Sequence, residues 1–573
     1  MDRRTFIKTT GACVPWSILA TGAQTAENRP IMDLERIHNR NQNRSTVVCT
    51  HGMVCASQPL ATMAGIDILQ SGGNAIDAAI GTNATLGVVE PPSNGIGGDL
   101  FAIVWIEKDR QLYGLNASGR SAYNWSLHAA LKMGLDHIPD NSPLAWSVPG
   151  CVSGWGALHE RFGKKTFAEI LDPAIQYAEA GFPLSPIISR AFQFDGQQYP
   201  TLARVFQPGG VKPRYGDVFR NPVLAQNLKQ IAQDGPAAFY RGEMAAAIVK
   251  YCKASGGRLT LKDFEDHTAT WIDPVRANYR GYDVWELPPN GQGIAALQIL
   301  NILETFDIPD LAPNSAAHLH LFVEAKKLAF EDRARYYADP DFADVPVEWL
   351  ISKEYARQRA ALIRPDKVLA RPGPGDPVLD SDTVYLTAAD PEGNMISLIQ
   401  SIYAGWGSAI VPEGLGGPIQ NRGASFALQE NHPNRLEPHK RPFHTIIPAF
   451  MSQAGQPVWS FGVMGGDFQP QGHAQVVMNT VDFGMSPQQA GEQPRLRHSG
   501  SSRPTGDVAM DSGHIQFERG FPAKVRQQMA SLGHQVRAGI GVHGGYQSIW
   551  REENPRRYFG ASDPRKDGLA IGY

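Results

Sequence analysis

Thr383 heads the stretch TVYLTAADPEGNMISLIQS (383–401), and the run before it, RPGPGDPVLDSD (371–382), is rich in proline and glycine. A threonine hydroxyl is a weak nucleophile unless a base sits beside it, and one solution is the residue's own α-amino group. A free α-amine titrates at about 7.7–8.0, close enough to working pH to accept the hydroxyl proton. That chemistry requires Thr383 to be a chain terminus, and so requires cleavage of the Asp382–Thr383 bond. The cut would leave the threonine at the start of a strand, which would aim it rigidly. Any threonine after a loop fits this spacing, so the spacing alone does not decide the matter.

The elements around Thr383 are better defined. Asp390-Pro391-Glu392-Gly393 suits a type I turn, with Asp first, Pro second and Gly fourth, so 383–389 and 395–402 read as a hairpin. PVWSFGVM (457–464) reads as a strand running into Gly465-Gly466. FAIVWIE (101–107) and LYGLNAS (112–118) read as a second hairpin. Leu60, Met63, Ile66 and Leu69 recur at helical spacing, and Gly72-Gly73 stops that helix. Asn74 is a fitting N-cap for 75–89, with Asp77 completing a partial capping box. Residues 151–330 read as mostly helical, followed by a helical pattern over 318–339. A helical half and a strand-rich half that belong together predict an α+β fold in layers.

The totals exclude several classes. The chain has 573 residues, a net charge of -3 and no block of like charge, so nothing marks a nucleic-acid partner. HExxH, GxSxG and P-loop motifs are absent, and no cofactor or metal is expected. His318 and His320 sit two apart, which on a helix aims them to different sides. Gly95-Ile96-Gly97-Gly98-Asp99 lacks the third glycine of a dinucleotide fingerprint and leads into a strand, so it reads as a tight turn. Cys49 and Cys55 could pair in an oxidising compartment, but in a chain this long buried thiols are the preferred reading. At the N-terminus, Arg3-Arg4 followed by the apolar stretch Ala12–Ala20 and small residues up to Ala23 reads as a twin-arginine export signal over 1–23. A periplasmic or secreted protein without a membrane anchor is expected.

SQPLATMAGIDILQSGGNAIDAAI (57–80), EPPSNGIGGDLF (90–101), VPGCVSGW (148–155), AEAGFPLSP (178–186), ELPPNGQGIAALQIL (286–300), LAFEDRARYYADPDF (328–342) and YFGASDPRKDGLAIGY (558–573) together resemble the γ-glutamyltransferase family of N-terminal nucleophile hydrolases. The resemblance runs in order over roughly 46–573. It implies a four-layer αββα sandwich and a proenzyme that cleaves itself into a large subunit (24–382) and a small catalytic one (383–573). The family pattern T-x-x-x-x-x-x-D-x-x-G-N is met by Thr383, Asp390, Gly393 and Asn394, which makes Thr383 both nucleophile and base. The resemblance also implies a supporting hydroxyl at Ser401 and oxyanion N–H groups at Gly465 and Gly466.

The substrate pocket departs from the family. The arginine that grips an α-carboxylate aligns with Ser118, with Arg120 two residues on. A Ser-Ser pair is replaced by His444-Thr445, an Asn by Tyr403, the amine-binding Asp by Ser425, and a Gln or Glu by Arg422. A γ-glutamyl group needs one anion and one cation for its amine and carboxylate. This pocket loses the anion and gains a cation, which suits an acyl group with a terminal carboxylate and no amine. The resemblance therefore implies cleavage of a γ-glutamyl amide such as glutathione, with water or an amine as acceptor. The alternatives are an oxamate-type or glutaryl/cephalosporin-type amide, or, in another class, a non-catalytic exported binding protein.

Overall fold

The computed structural model describes residues 44–369, 383–539, 541 and 543–573. The export signal and the run before Thr383 lie outside the described residues. Strands β1 (Val47–Cys49), β2 (Met53–Ala56), β3 (Asp99–Ile106), β4 (Gln111–Ala117), β5 (Thr270–Ile272), β6 (Val275–Tyr279), β7 (Tyr282–Glu286), β8 (Val384–Ala389), β9 (Met395–Ser401), β10 (Ala449–Gln453), β11 (Gln456–Val463), β12 (Tyr546–Glu553), β13 (Arg556–Ser562) and β14 (Leu569–Gly572) form two sheets. One has the order β14-β2-β8-β9-β3-β4-β5, the other β1-β13-β12-β11-β10-β7-β6, and each has seven strands. Strands from before and after residue 383 interleave in both, so the two parts of the chain are one folded body.

Side-chain alternation explains the layering, since successive residues of a strand point to opposite faces. In β8, Val384, Leu386 and Ala388 join a core with helices α1 (Pro59–Gln70) and α2 (Ala75–Val89), while Tyr385 and Ala389 join the core between the sheets. In β11, Trp459, Phe461 and Val463 face α3 (Gly293–Leu303), α4 (Ala316–Tyr336) and α5 (Gln469–Val481), while Met464 just beyond it joins the core between the sheets. Helix, sheet, sheet and helix thus stack in four layers, the expected αββα sandwich. Among the described residues no helix is long and apolar enough to cross a membrane.

Most local readings hold. Asn74 Oδ1 accepts the N–H groups of Ile76 and Asp77, each at 3.0 Å, and Asp77 Oδ2 accepts the Asn74 N–H at 3.1 Å, a full capping box. The four cysteines of the described residues are buried free thiols. His318 and His320 do aim apart, the first accepting the Asn314 N–H and the second bonding His534. The helical reading of 151–330 needs correction at 270–286. There β5, β6 and β7 complete edges of both sheets, with β6 and β7 joined across Arg280-Gly281, both at positive φ.

The hairpin turn at Asp390 is tied on three sides. Its C=O accepts the Gly393 N–H at 3.1 Å, as the type I reading requires. Its carboxylate accepts the N–H groups of Gly393 and Asn394 through Oδ1, and of Ala75, at the start of α2, through Oδ2, each at 3.0 Å. Asn394 in turn accepts the Glu107 N–H at 3.0 Å, linking the turn to the end of β3. Asp390→Ala would orphan three buried donors, at about 1–3 kcal/mol each before relaxation. We expect a loss of about 3 kcal/mol or more in urea unfolding, with Asp390→Asn losing less.

Candidate active site

Val384 pairs with Gln400 across β8 and β9, so one step back sets Thr383 opposite Ser401. Thr383 Oγ1 donates to Ser401 Oγ at 3.3 Å, and Ser401 Oγ also accepts the Tyr403 N–H at 2.9 Å. Thr383 shares its strand face with Tyr385 and Thr387, the face that meets the second sheet. Contacts there step by two residues. Thr387 Oγ1 bonds Ser460 Oγ at 2.5 Å, and Gly462 lies so close under the Tyr385 ring that a Cβ would meet it at 2.4 Å. The next step places Thr383 over Met464, beside Gly465-Gly466.

Gly465 and Gly466 have φ values of +123° and +56°, which side-chain-bearing residues rarely adopt. They open a 3₁₀ turn (Gly466–Phe468) that runs directly into α5. The leading N–H groups of a helix have no partner inside it and favour negative charge. Those of Gly465 and Gly466 meet no acceptor among the described residues. An oxyanion forming at a carbonyl attacked by Thr383 fits them. Two buried contacts hold the turn. The Gly466 C=O accepts from Gln292 Nε2 at 2.8 Å, and the Val463 N–H donates to His473 Nε2 at 3.0 Å.

Arg422 is wholly buried, in a short turn (Arg422–Ser425). Its Nη1 donates to Thr445 Oγ1 at 2.8 Å, and its guanidinium lies 4.2 Å over the Tyr403 ring. Its Nε and Nη2 have no partner, and it forms no ion pair among the described residues. Burial draws its pKa down to about 10, opposed by the charges of Asp99, Tyr403 and Asp467, so it stays cationic at neutral pH. Ser425 Oγ is buried and also unpartnered. Tyr403 has φ +78°, a region where Asn is more at home, and this matches the residue the family uses there. Arg422, Thr445, Tyr403 and Ser425 thus form one pocket wall, linked to Thr383 through Tyr403 and Ser401.

Two expected pocket residues stand differently. Both ring nitrogens of His444 are taken within the protein. Nε2 donates to Asp99 Oδ2 at 2.9 Å and Nδ1 accepts the Ile446 N–H, so His444 has no hydrogen bond left for a substrate. Arg120 follows Gly119, whose N–H is held by Asp99. It shares the field of Arg441, His267 and His439, and no side-chain bond joins it to Arg422 or Thr383 among the described residues.

Residues not foreseen from sequence complete the site. Asp99 could not neutralise Arg422, because its oxygens already accept from Gly119, Gln420 and His444. Asp467, directly after Gly466, pairs with Arg333 at 2.8 Å and Arg503 at 3.3 Å. Burial works against its charge, but Arg333 and Arg503 outweigh that and hold its carboxyl well below the usual range. Its adjacency to Gly465-Gly466 was a signal in the sequence, whereas Arg333 and Arg503 gave none.

His320, Glu324 and His534 bring potential metal-ligand atoms within 4.8 Å of one another. Those atoms are engaged in the protein. His320 bonds His534 at 2.8 Å and the Arg364 C=O at 2.7 Å, and Glu324 accepts from Lys327 and the Leu369 N–H. The arrangement is a clasp on the chain that leads toward residue 370.

Burial pushes His318 and His444 down to about 4, with Arg422 adding to the effect on His444. The unfolded state takes up these protons near pH 6.5 and the native state resists until about 4. Their contribution is therefore present above pH 6.5 and lost as pH falls. Each should cost about 2 kcal/mol by pH 5. Urea unfolding at pH 7.5 and pH 5 should show the decline, and His318→Gln should flatten part of it.

The gamma-glutamyltranspeptidase family model matches residues 61–573. The chain is 38% identical to the glutathione hydrolase-like YwrD proenzyme of Bacillus subtilis (strain 168), over 92% of this chain and 99% of that protein. It is 34% identical to the oxamate amidohydrolase proenzyme of Klebsiella pneumoniae, over 92% and 100%. The structure of cephalosporin acylase from Bacillus halodurans superposes with a TM-score of 0.86 at 40% identity, covering 94% of this chain and 98% of that one. With Thr383, Ser401 and the Gly465-Gly466 turn assembled on the αββα frame, the chain is an N-terminal nucleophile hydrolase, an enzyme rather than a binding protein, and it belongs to the gamma-glutamyltranspeptidase family.

Proposed function

We propose that the protein is a self-processing amidohydrolase whose substrate is an amide with a carboxylate at the far end of its acyl group and no α-amine. One observation carries the reading: Arg422, wholly buried, has two guanidinium nitrogens without a partner and no carboxylate paired to it. Buried donors are rarely left unmet, and a ligand carboxylate would meet both at once. The amine side lacks a counterpart, since Ser425 stands where the family has Asp. Similarity to an oxamate amidohydrolase and a cephalosporin acylase supports the reading. Similarity to glutathione hydrolases favours the second reading, a γ-glutamyl acyl group.

Processing comes first. Thr383 Oγ adds to the Asp382 carbonyl carbon, and the peptide bond becomes an ester as the Thr383 nitrogen leaves with a proton. Water hydrolyses the ester and frees the amine. That amine then takes the Thr383 hydroxyl proton as Oγ attacks the substrate carbonyl. The N–H groups of Gly465 and Gly466 hold the oxyanion, and Ser401 keeps the hydroxyl aligned. The leaving amine departs with the proton, and water clears the acyl-threonine. The twin-arginine segment supports export to the periplasm or medium, which cell fractionation with Arg3-Arg4→Lys-Lys would test. Turnover of glutaryl-p-nitroanilide beside γ-glutamyl-p-nitroanilide tests the substrate. Preference for the glutaryl compound is expected, and preference for the γ-glutamyl compound would overturn the reading.

A further inference from the structure

A second cationic pocket lies beyond the oxyanion turn. It is connected to solvent, encloses about 390 Å³ and is lined by Lys326, Arg333, Asp467, Arg497, His498 and Arg503. Lys326, Phe330 and Arg333 share one face of α4. The Lys326 ammonium lies 3.7 Å and the Arg333 guanidinium 3.9 Å from the same Phe330 ring. Four cations therefore meet one lining carboxylate, Asp467, with Glu331 close enough to act on Lys326. Lys326 bonds only neutral groups, His498 Nδ1 at 3.0 Å and Ser501 Oγ at 2.9 Å. Arg333 is buried, and its Nε has no partner. Burial, then the charge of Arg333, holds the Lys326 ammonium well below its ordinary value, as expected where positive charge is uncompensated.

The pocket's place in the site limits what the anion can be. Asp467 follows Gly466 directly, so a group bound here sits beside the scissile carbonyl. The wall around Arg422 is closed to solvent, whereas Asp467 and Arg503 are partly exposed. The acyl end faces the closed wall, and the amine must leave through the open side.

We propose that this pocket is an anion subsite for a carboxylate on the amine half of the substrate, so that the amine released is itself an acid, such as an amino acid or short peptide. The proposal rests on the amidase reading, but its test contains no acyl group. Calorimetry on the processed enzyme would compare 5-amino-2-nitrobenzoate with 4-nitroaniline, two amines differing in one carboxylate. We expect the acid to bind at least about tenfold more tightly. The preference should weaken in 0.5 M salt and fall in Lys326→Met and Arg503→Gln, while Arg422→Gln keeps it. Equal binding of the two amines overturns the proposal. So does a preference that survives Lys326→Met and Arg503→Gln, or one that disappears in Arg422→Gln, which would place the carboxylate in the acyl pocket. If Lys326→Met does not fold, Arg503→Gln at the rim decides. Failure of the acyl reading would appear only with the glutaryl and γ-glutamyl pair.

Discussion

Thr383→Ala should yield a single uncut chain that folds but turns over no amide. Denaturing mass spectrometry of the wild type should show two fragments, the smaller spanning 383–573, and the substitution should abolish both. Amide turnover should fall by at least about 10⁴-fold, because one change removes the nucleophile and prevents release of its base. Folding should be spared. The Thr383 side chain makes one 3.3 Å hydrogen bond, and the hairpin behind it is held by Asp390 and by the β8–β9 register. Thr383→Ser keeps a hydroxyl at the same place and should still cut itself, though more slowly. Ser401→Ala should cut and turn over at a reduced rate, since the Thr383 hydroxyl loses its neighbour but the amine remains. A folded wild-type protein found as one intact chain would remove the base from the mechanism, and the chemistry would have to come from elsewhere. A Thr383→Ala chain that still cuts would place the processing nucleophile on another residue.

What was legible in the sequence was local. The turn at Asp390, the capping box at Asn74 and the strands on either side of Thr383 are each set by residues a few positions apart. Short-range hydrogen bonds and dihedral preferences suffice for them. The strands at 270–286 were legible too. Val275, Ala277 and Tyr279 alternate with polar residues, and Arg280-Gly281 supplies a two-residue turn at positive φ. The helical pattern on both sides masked that signal. The meeting of Thr383 with Gly465-Gly466 lay beyond sequence periodicity, because it depends on which strand of one sheet lies over which strand of the other. The contacts at Thr387–Ser460 and Tyr385–Gly462 set that alignment, and nothing in either segment alone encodes it. Arg120 shows the same limit from the other side. Two residues past the aligned position, the backbone has already turned at Gly119, where a Cβ would strike the Val148 carbonyl at 1.7 Å. For Arg422 the sequence revealed a cation but not its setting. That it is fully buried and half unpartnered emerges only when Asp99 and Asp467 are seen to be committed to other groups.

Arg422→Met should separate activity from stability in opposite directions. If the guanidinium grips the acyl carboxylate, losing it removes two charge-assisted hydrogen bonds made in a buried setting. Truncating one partner of such a pair costs about 2–5 kcal/mol. That predicts a fall of about 10²- to 10³-fold in kcat/KM on glutaryl-p-nitroanilide, carried mostly by KM. Arg422→Lys should recover only part of this, since a point charge cannot reproduce the planar fork. The ligand-free protein should tell the reverse story. There Arg422 is a buried cation with two unmet donors, and its one hydrogen bond, to Thr445, offsets little of its desolvation. Methionine of similar length fills the space without that penalty, so thermal unfolding of Arg422→Met should occur at a temperature at least as high as wild type. Self-cleavage should persist, because no substrate carboxylate takes part in it. A structural arginine would behave differently, with Arg422→Met lowering the melting temperature and weakening all amides alike. Loss confined to carboxylate-bearing acyl groups, in a protein no less stable and still cut at Thr383, would assign Arg422 to the substrate.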